Sequence, residues 1–168
     1  SLFGASSRVR NAEGMAVEIL PGLEMVSSGW ANPTPWKTFR EEDEASLGIR
    51  LEAAISKASK GSRLICNFHC PPYSSGLDDA PELGEDFSLK NAGQSTVPVG
   101  STAVRKAMEA HKPILGLHGH IHEAKGVSRI GKCLAVNPGS LYEQGVLQGA
   151  LFELDARKGL RSYVLTTG

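Results

Sequence analysis

Apolar positions recur in two short runs, residues 15–19 and 23–27, with Pro21-Gly22 between them. That pattern predicts two strands joined by a tight turn. Residues 30–36 contain both tryptophans and two prolines two positions apart, which excludes regular structure. Leu47, Leu51, Ala54, Ile55 and Ala58 then recur at helical spacing. Thr38 with Glu41 three positions on predicts the start of this helix as a capping box, and Gly61 predicts its end. The acidic run 41–44 suits the positive end of its dipole. Residues 63–68 form a compact, mostly apolar run, predicted as a strand, that stops at His69-Cys-Pro-Pro-Tyr73.

From residue 74 to 100 the chain is polar, acidic and glycine-rich without a period. This predicts a long loop, of the kind that is usually functional or mobile, with Asp78 and Asp79 as solvated acids. Ser101 or Thr102 caps a short predicted helix through Val104, Ala107 and Met108, ended by Pro113. Residues 114–117 read as a buried strand running into His118-Gly-His-Ile-His122. Residues 127–130 and 133–136 flank Gly131-Lys132, a hairpin signal, and 150–154 and 160–165 flank a second turn. Asn137-Pro-Gly-Ser140 is a turn. The order predicts an α/β fold: a mixed sheet system with helices outside.

The 168 residues, 40% hydrophobic and 21% charged, fit a single domain, 1–168. Lys plus Arg is 18 and Asp plus Glu is 18, so the net charge is zero. That balance lacks the basic excess selected by a nucleic-acid duplex or an anionic membrane surface. No stretch approaches the ~20 apolar residues of a membrane span. Residues 1–10 carry no signal-peptide pattern, and three cysteines do not suit a secreted disulfide framework. A cytoplasmic location with reduced thiols is expected. The chain starts at Ser1 rather than Met, from which an incomplete N-terminus is expected.

Four of the five histidines stand at the ends of the two predicted buried strands, where ligands bind in open α/β sheets. His118, His120 and His122 are spaced i, i+2, i+4 and would share a face on an extended chain. Gly119 lets the backbone turn or approach a ligand. An H-x-H pair suits a metal centre, so His120 and His122 read as metal ligands or as packed side chains. His69 is a further candidate. His118 is a third ligand, a supporting partner or simply packed. His111, near a helix end, reads as structural. Cys70 adjoins His69, but neighbours on an extended chain point apart, so no nucleophile–base pair forms. The thiols are expected to be buried.

Phe68-His-Cys-Pro-Pro-Tyr73 and Gly119-His-Ile-His122 resemble the last two signature blocks of the calcineurin-like metallophosphoesterases. Residues 30–36, 99–105, 119–123 and 137–140 resemble a predicted-phosphoesterase branch related to cyclic-nucleotide phosphodiesterases. The resemblance covers nearly the whole chain. It implies a four-layer α/β/β/α sandwich and two divalent metal ions of manganese, iron or zinc type. His69, His120 and His122 would be ligands, and a metal-bound hydroxide the nucleophile. His118, Glu123 and Asn137 would support the ligands, and Trp30, Asn32 and Trp36 would face the substrate. That substrate would be a small phosphomonoester or phosphodiester, a nucleotide among the options. Both tryptophans equally suit a place over the core.

The family's three earlier blocks, Asp-x-His, Gly-Asp-x-x-Asp and Gly-Asn followed by His or a substitute and then Asp or Glu, are absent, and Gly4, Asn11 and Gly14 form none of them. The chain is therefore expected to be the C-terminal part of such a hydrolase. The alternatives are a mononuclear three-histidine zinc hydrolase and an inactive fragment or partner-binding half-domain.

Overall fold

A computed structural model describes residues 9–168. The start of the segment read for a signal peptide, residues 1–8, and with it Gly4, lies outside the described residues. The chain runs β1 (Ala16–Leu20), β2 (Leu23–Ser28), α1 (Glu44–Ile55), β3 (Arg63–Phe68), β4 (Asp79–Pro81), β5 (Thr96–Pro98), α2 (Thr102–His111), β6 (Leu115–Leu117), β7 (Gly126–Ile130), β8 (Cys133–Asn137), β9 (Gln148–Asp155) and β10 (Gly159–Thr167). A six-stranded mixed sheet has the order β1-β2-β3-β6-β8-β7. Its four inner strands are parallel, and β1 and β7 close the edges antiparallel. Inner parallel strands are covered on both faces, which is why β8 is buried at every position.

On one face α1 and α2 bury Leu47, Leu51, Val104 and Met108 against Val26, Cys66, Phe68 and Ala135. On the other face Leu23, Ile65, Leu115, Leu134 and Val136 meet Ala150, Phe152, Leu154, Leu160 and Leu165 of the β9–β10 hairpin. Each fully buried leucine contributes roughly 1.5–3 kcal/mol. The described residues thus build an α/β fold of helix, sheet and second sheet, three of the four expected layers. No helix among them is long and apolar enough to cross a membrane.

Helix α1 starts later than the capping pattern predicts. Asp43 is its N-cap, accepting from the Ala45 and Ser46 amides. Glu41 instead accepts from the Thr34 amide and hydroxyl at 2.8 and 2.6 Å and from the Thr38 amide at 2.9 Å, which holds residues 31–41 as a closed loop. The helix ends at Ile55, before Gly61, with Ser56 as C-cap. The start of α2 agrees with the sequence: Ser101 Oγ accepts from the Val104 amide. His111 reaches Glu52 at 2.9 Å and fastens α2 to α1.

The long predicted loop is partly ordered by the β4–β5 hairpin. Asp78 is not a solvated acid. It is fully buried and accepts from the Ser74, Ser75 and Gly100 amides at 2.8, 2.9 and 3.0 Å. Gly100 is required there, because a Cβ would sit 2.6 Å from the Pro71 carbonyl oxygen and 2.8 Å from Asp78.

Candidate metal centre

Strands β3, β6 and β8 are parallel neighbours, so the segments leaving them emerge side by side. They carry His69, His118-Gly-His-Ile-His122 and Asn137. The Gly119 amide donates to the His69 carbonyl at 3.0 Å, and the Ser140 amide to the His122 carbonyl at 3.0 Å. The His69 and His120 rings lie 5.0 Å apart at 66°. His122 is turned onto Tyr142, 5.5 Å away at 85°.

The three histidines after β6 do not share a face as an extended chain would. The Ile121 amide donates to the Gly119 carbonyl at 2.7 Å, closing a three-residue turn on His120 at φ 66°. This is the rare positive-φ γ-turn, strained for any residue with a Cβ. The left-handed position is therefore His120 and not Gly119. It swings His120 towards His69 while His118 turns inward. Because the Cβ causes the strain, His120→Gly should be more stable than His120→Ala by about 1 kcal/mol, reversing the usual order. Urea unfolding of the two variants measures this, and His120→Ala as the more stable variant would refute it.

His118 is buried, and its Nδ1 lies 2.9 Å from the Phe68 carbonyl and 3.1 Å from the Cys70 carbonyl. Both partners are acceptors, so Nδ1 carries the proton and donates. These carbonyls flank His69, so His118 fixes the segment that presents it. Nε2 is buried without a partner among the described residues. Burial is the largest cause pushing the His118 pKa down to about 4.

Asn137 is also fully buried. Its Nδ2 donates to the Ile121, Leu77 and Gly119 carbonyls at 2.8, 3.1 and 3.4 Å, and its Oδ1 accepts from the Gly139 amide at 2.9 Å. Asn137 thus clamps the histidine turn to the sheet. Glu123 is exposed, and no hydrogen bond joins it to a histidine among the described residues.

The proposed substrate-side residues separate. Trp30 is half-buried against the core under Arg50, whose Cζ lies 3.9 Å from its ring centroid. Asn32 ties loops together: Cys70 Sγ donates to its Oδ1 at 2.8 Å, and its Nδ2 donates to the Val99 carbonyl at 3.1 Å. Trp36 is exposed, as is its neighbour Phe39 at 92%. All three thiols are buried, which pushes each pKa up to about 12 and leaves Cys70 inert beside His69.

A cavity of about 560 Å³ opens beside His69 and Gly119, with Ser28, Asn67, Glu13 and Arg40 on its walls. Arg40, 3.5 Å from Glu13, and Tyr142, against His122, escaped the sequence reading. No local pattern marks either, since only the fold brings them there.

His69, His120 and His122 differ from His111 and His118 in one respect: none of their rings hydrogen-bonds to a protein group among the described residues. Desolvation, aided by neighbouring imidazoles, lowers the pKa of His69 and His120 and favours their neutral, ligating form. This chemistry fits imidazole donors for a borderline divalent ion. As they stand, no three His, Cys, Asp or Glu side chains among the described residues are close enough to enclose one. Among the described residues no carboxylate hydrogen-bonds to these rings, and Asp78 is committed to its loop.

No family model matches the sequence. An uncharacterized protein of Methanocaldococcus jannaschii, MJ1162, is 27% identical over 124 residues, 73% of this chain and 50% of that protein. This chain therefore spans about half the length of the curated relative it matches. TT1561 of Thermus thermophilus is similar in structure, with a TM-score of 0.53 and 23% identity over 95% of this chain and 59% of that one. Another crystal structure aligns with a TM-score of 0.60 and 19% identity over 94% of this chain and 54% of that one. These similarities support the α/β fold.

Proposed function

We propose that this chain carries the histidine part of a metal-dependent phosphoester hydrolase of the calcineurin-like type. The observation that supports it most is the set of three untied imidazoles at the exits of β3 and β6. His69, His120 and His122 would hold metal, while His118 and Asn137 fix the backbone that presents them. Divalent ions of manganese, iron or zinc type, when bound, polarise the phosphoryl group and acidify water. The exposed ring of Trp36 offers a stacking surface to a substrate such as a nucleotide. The carboxylate donors of a two-ion centre would come from further chain, in keeping with a relative of which the matched residues cover only 50%. A cytoplasmic location belongs to the same reading.

The test is manganese-dependent hydrolysis of p-nitrophenyl phosphate and bis-p-nitrophenyl phosphate by the full-length protein. His120→Ala should lower the rate at least about 100-fold, since changes merely beside a ligand cost 10–100-fold. Undiminished hydrolysis would sink the assignment.

A further inference from the structure

A second cavity, of about 700 Å³, lies at the opposite end of the sheet, where β6 and β8 begin. Its rim carries Lys112, Arg129, Lys132, Lys158 and Arg161, five of the chain's 18 basic residues, against one acid, Glu109. Lys112, Arg129, Lys132 and Lys158 have no salt-bridge partner among the described residues. Glu109 is engaged by Arg105 at 2.9 Å, and Arg161 stands 3.8 Å from Glu153. The rim charges come from four separate elements: the end of α2, the β7–β8 hairpin, the β9–β10 turn and β10. No stretch of sequence concentrates them. The floor is apolar, built from Met108, Ile130, Leu134 and Leu160. The volume lies within the ~300–1,000 Å³ of small-molecule sites.

Four unneutralised cations around one concavity repel each other, and a multiply charged anion relieves that repulsion. The C-terminal dipole of α2 opposes an anion, but it amounts to about half a charge against the four unneutralised cations. We propose that this cavity is a second ligand site that takes a phosphate chain, separate from the histidines. The cations bind the phosphates. The apolar floor and the ring of Tyr163, also on the wall, would take a base if the chain belongs to a nucleotide.

Calorimetric titration of the full-length protein with inorganic tripolyphosphate, in EDTA to silence the metal centre, tests this. One saturable site per chain is expected. Lys132→Gln and Lys158→Gln sit in exposed turns, and each should weaken binding about tenfold, the loss of a charge-assisted hydrogen bond. His120→Ala should leave the affinity unchanged, so the hydrolase assignment and this site stand or fall independently. Tighter binding of ATP than of tripolyphosphate would identify a nucleotide as the source, and equal binding a free phosphate chain. Either outcome supports the site. Absence of binding, indifference to both lysine variants, or loss with His120→Ala overturns it. Affinity that rises with the length of a single-stranded oligonucleotide also overturns it, in favour of a nucleic-acid surface.

Discussion

Replacing Asn137 by alanine should destabilise the protein by about 4 kcal/mol, because buried groups left without partners cost about 1–3 kcal/mol each. The side chain is fully buried and serves the Leu77, Gly119 and Ile121 carbonyls and the Gly139 amide. Water does not readily replace it there. A loss of that size is a large part of the roughly 5–15 kcal/mol that holds a typical domain. Asn137→Asp separates the clamp from mere packing. It keeps the shape but turns an acceptor towards three carbonyl oxygens, so it should be at least as damaging as alanine. Urea denaturation gives the stability, and hydrogen exchange at residues 119–122 gives the local effect. Both variants should speed exchange in the histidine turn before the rest of the sheet. Near-normal stability of Asn137→Asp would mean that the amide donates nothing of value.

Acidification should destabilise the protein by about 3 kcal/mol between pH 6.5 and pH 4 through His118 alone, at about 1.4 kcal/mol per pH unit of displaced pKa. Burial pushes its folded-state pKa down to about 4, while an unfolded histidine titrates near 6.5. Between those values the unfolded chain binds a proton that the folded chain refuses. Stability is therefore whole above pH 6.5, falls as pH drops through the window, and loses nothing further from this group below pH 4. His69 and His120, also shifted down, add in the same direction. Denaturation midpoints across this range, in EDTA, for the wild type and His118→Asn give the measurement. The asparagine amide can still donate to the Phe68 and Cys70 carbonyls but does not titrate. Its acid slope should be visibly flatter. Equal slopes would assign the loss to other groups.

Features that depend on neighbours in sequence were legible. Strand β3 and helix α2 stand where an apolar run and a capped amphipathic pattern put them, and the β7–β8 and β9–β10 hairpins follow their turns. His69, His120 and His122 were legible as candidates because strand ends mark ligand positions in α/β sheets. The start of α1 departs from the capping pattern because Glu41 serves Thr34 and Thr38 in a closed loop rather than a helix. The burial of Asp78 is not legible locally because its amide partner at Gly100 lies 22 positions away.

The α/β order of elements, the strand ends and the imidazoles placed there follow from periodicity and turn chemistry, which act over a few residues. Long-range packing, by contrast, puts His120 in the strained left-handed position, sets Asn137 to clamp it, and lays Trp30 but not Trp36 over the core. It also gathers five cations around one cavity in a chain of zero net charge. A sum over residues is blind to position, and burial and local potential are set by side chains that fold together from distant segments.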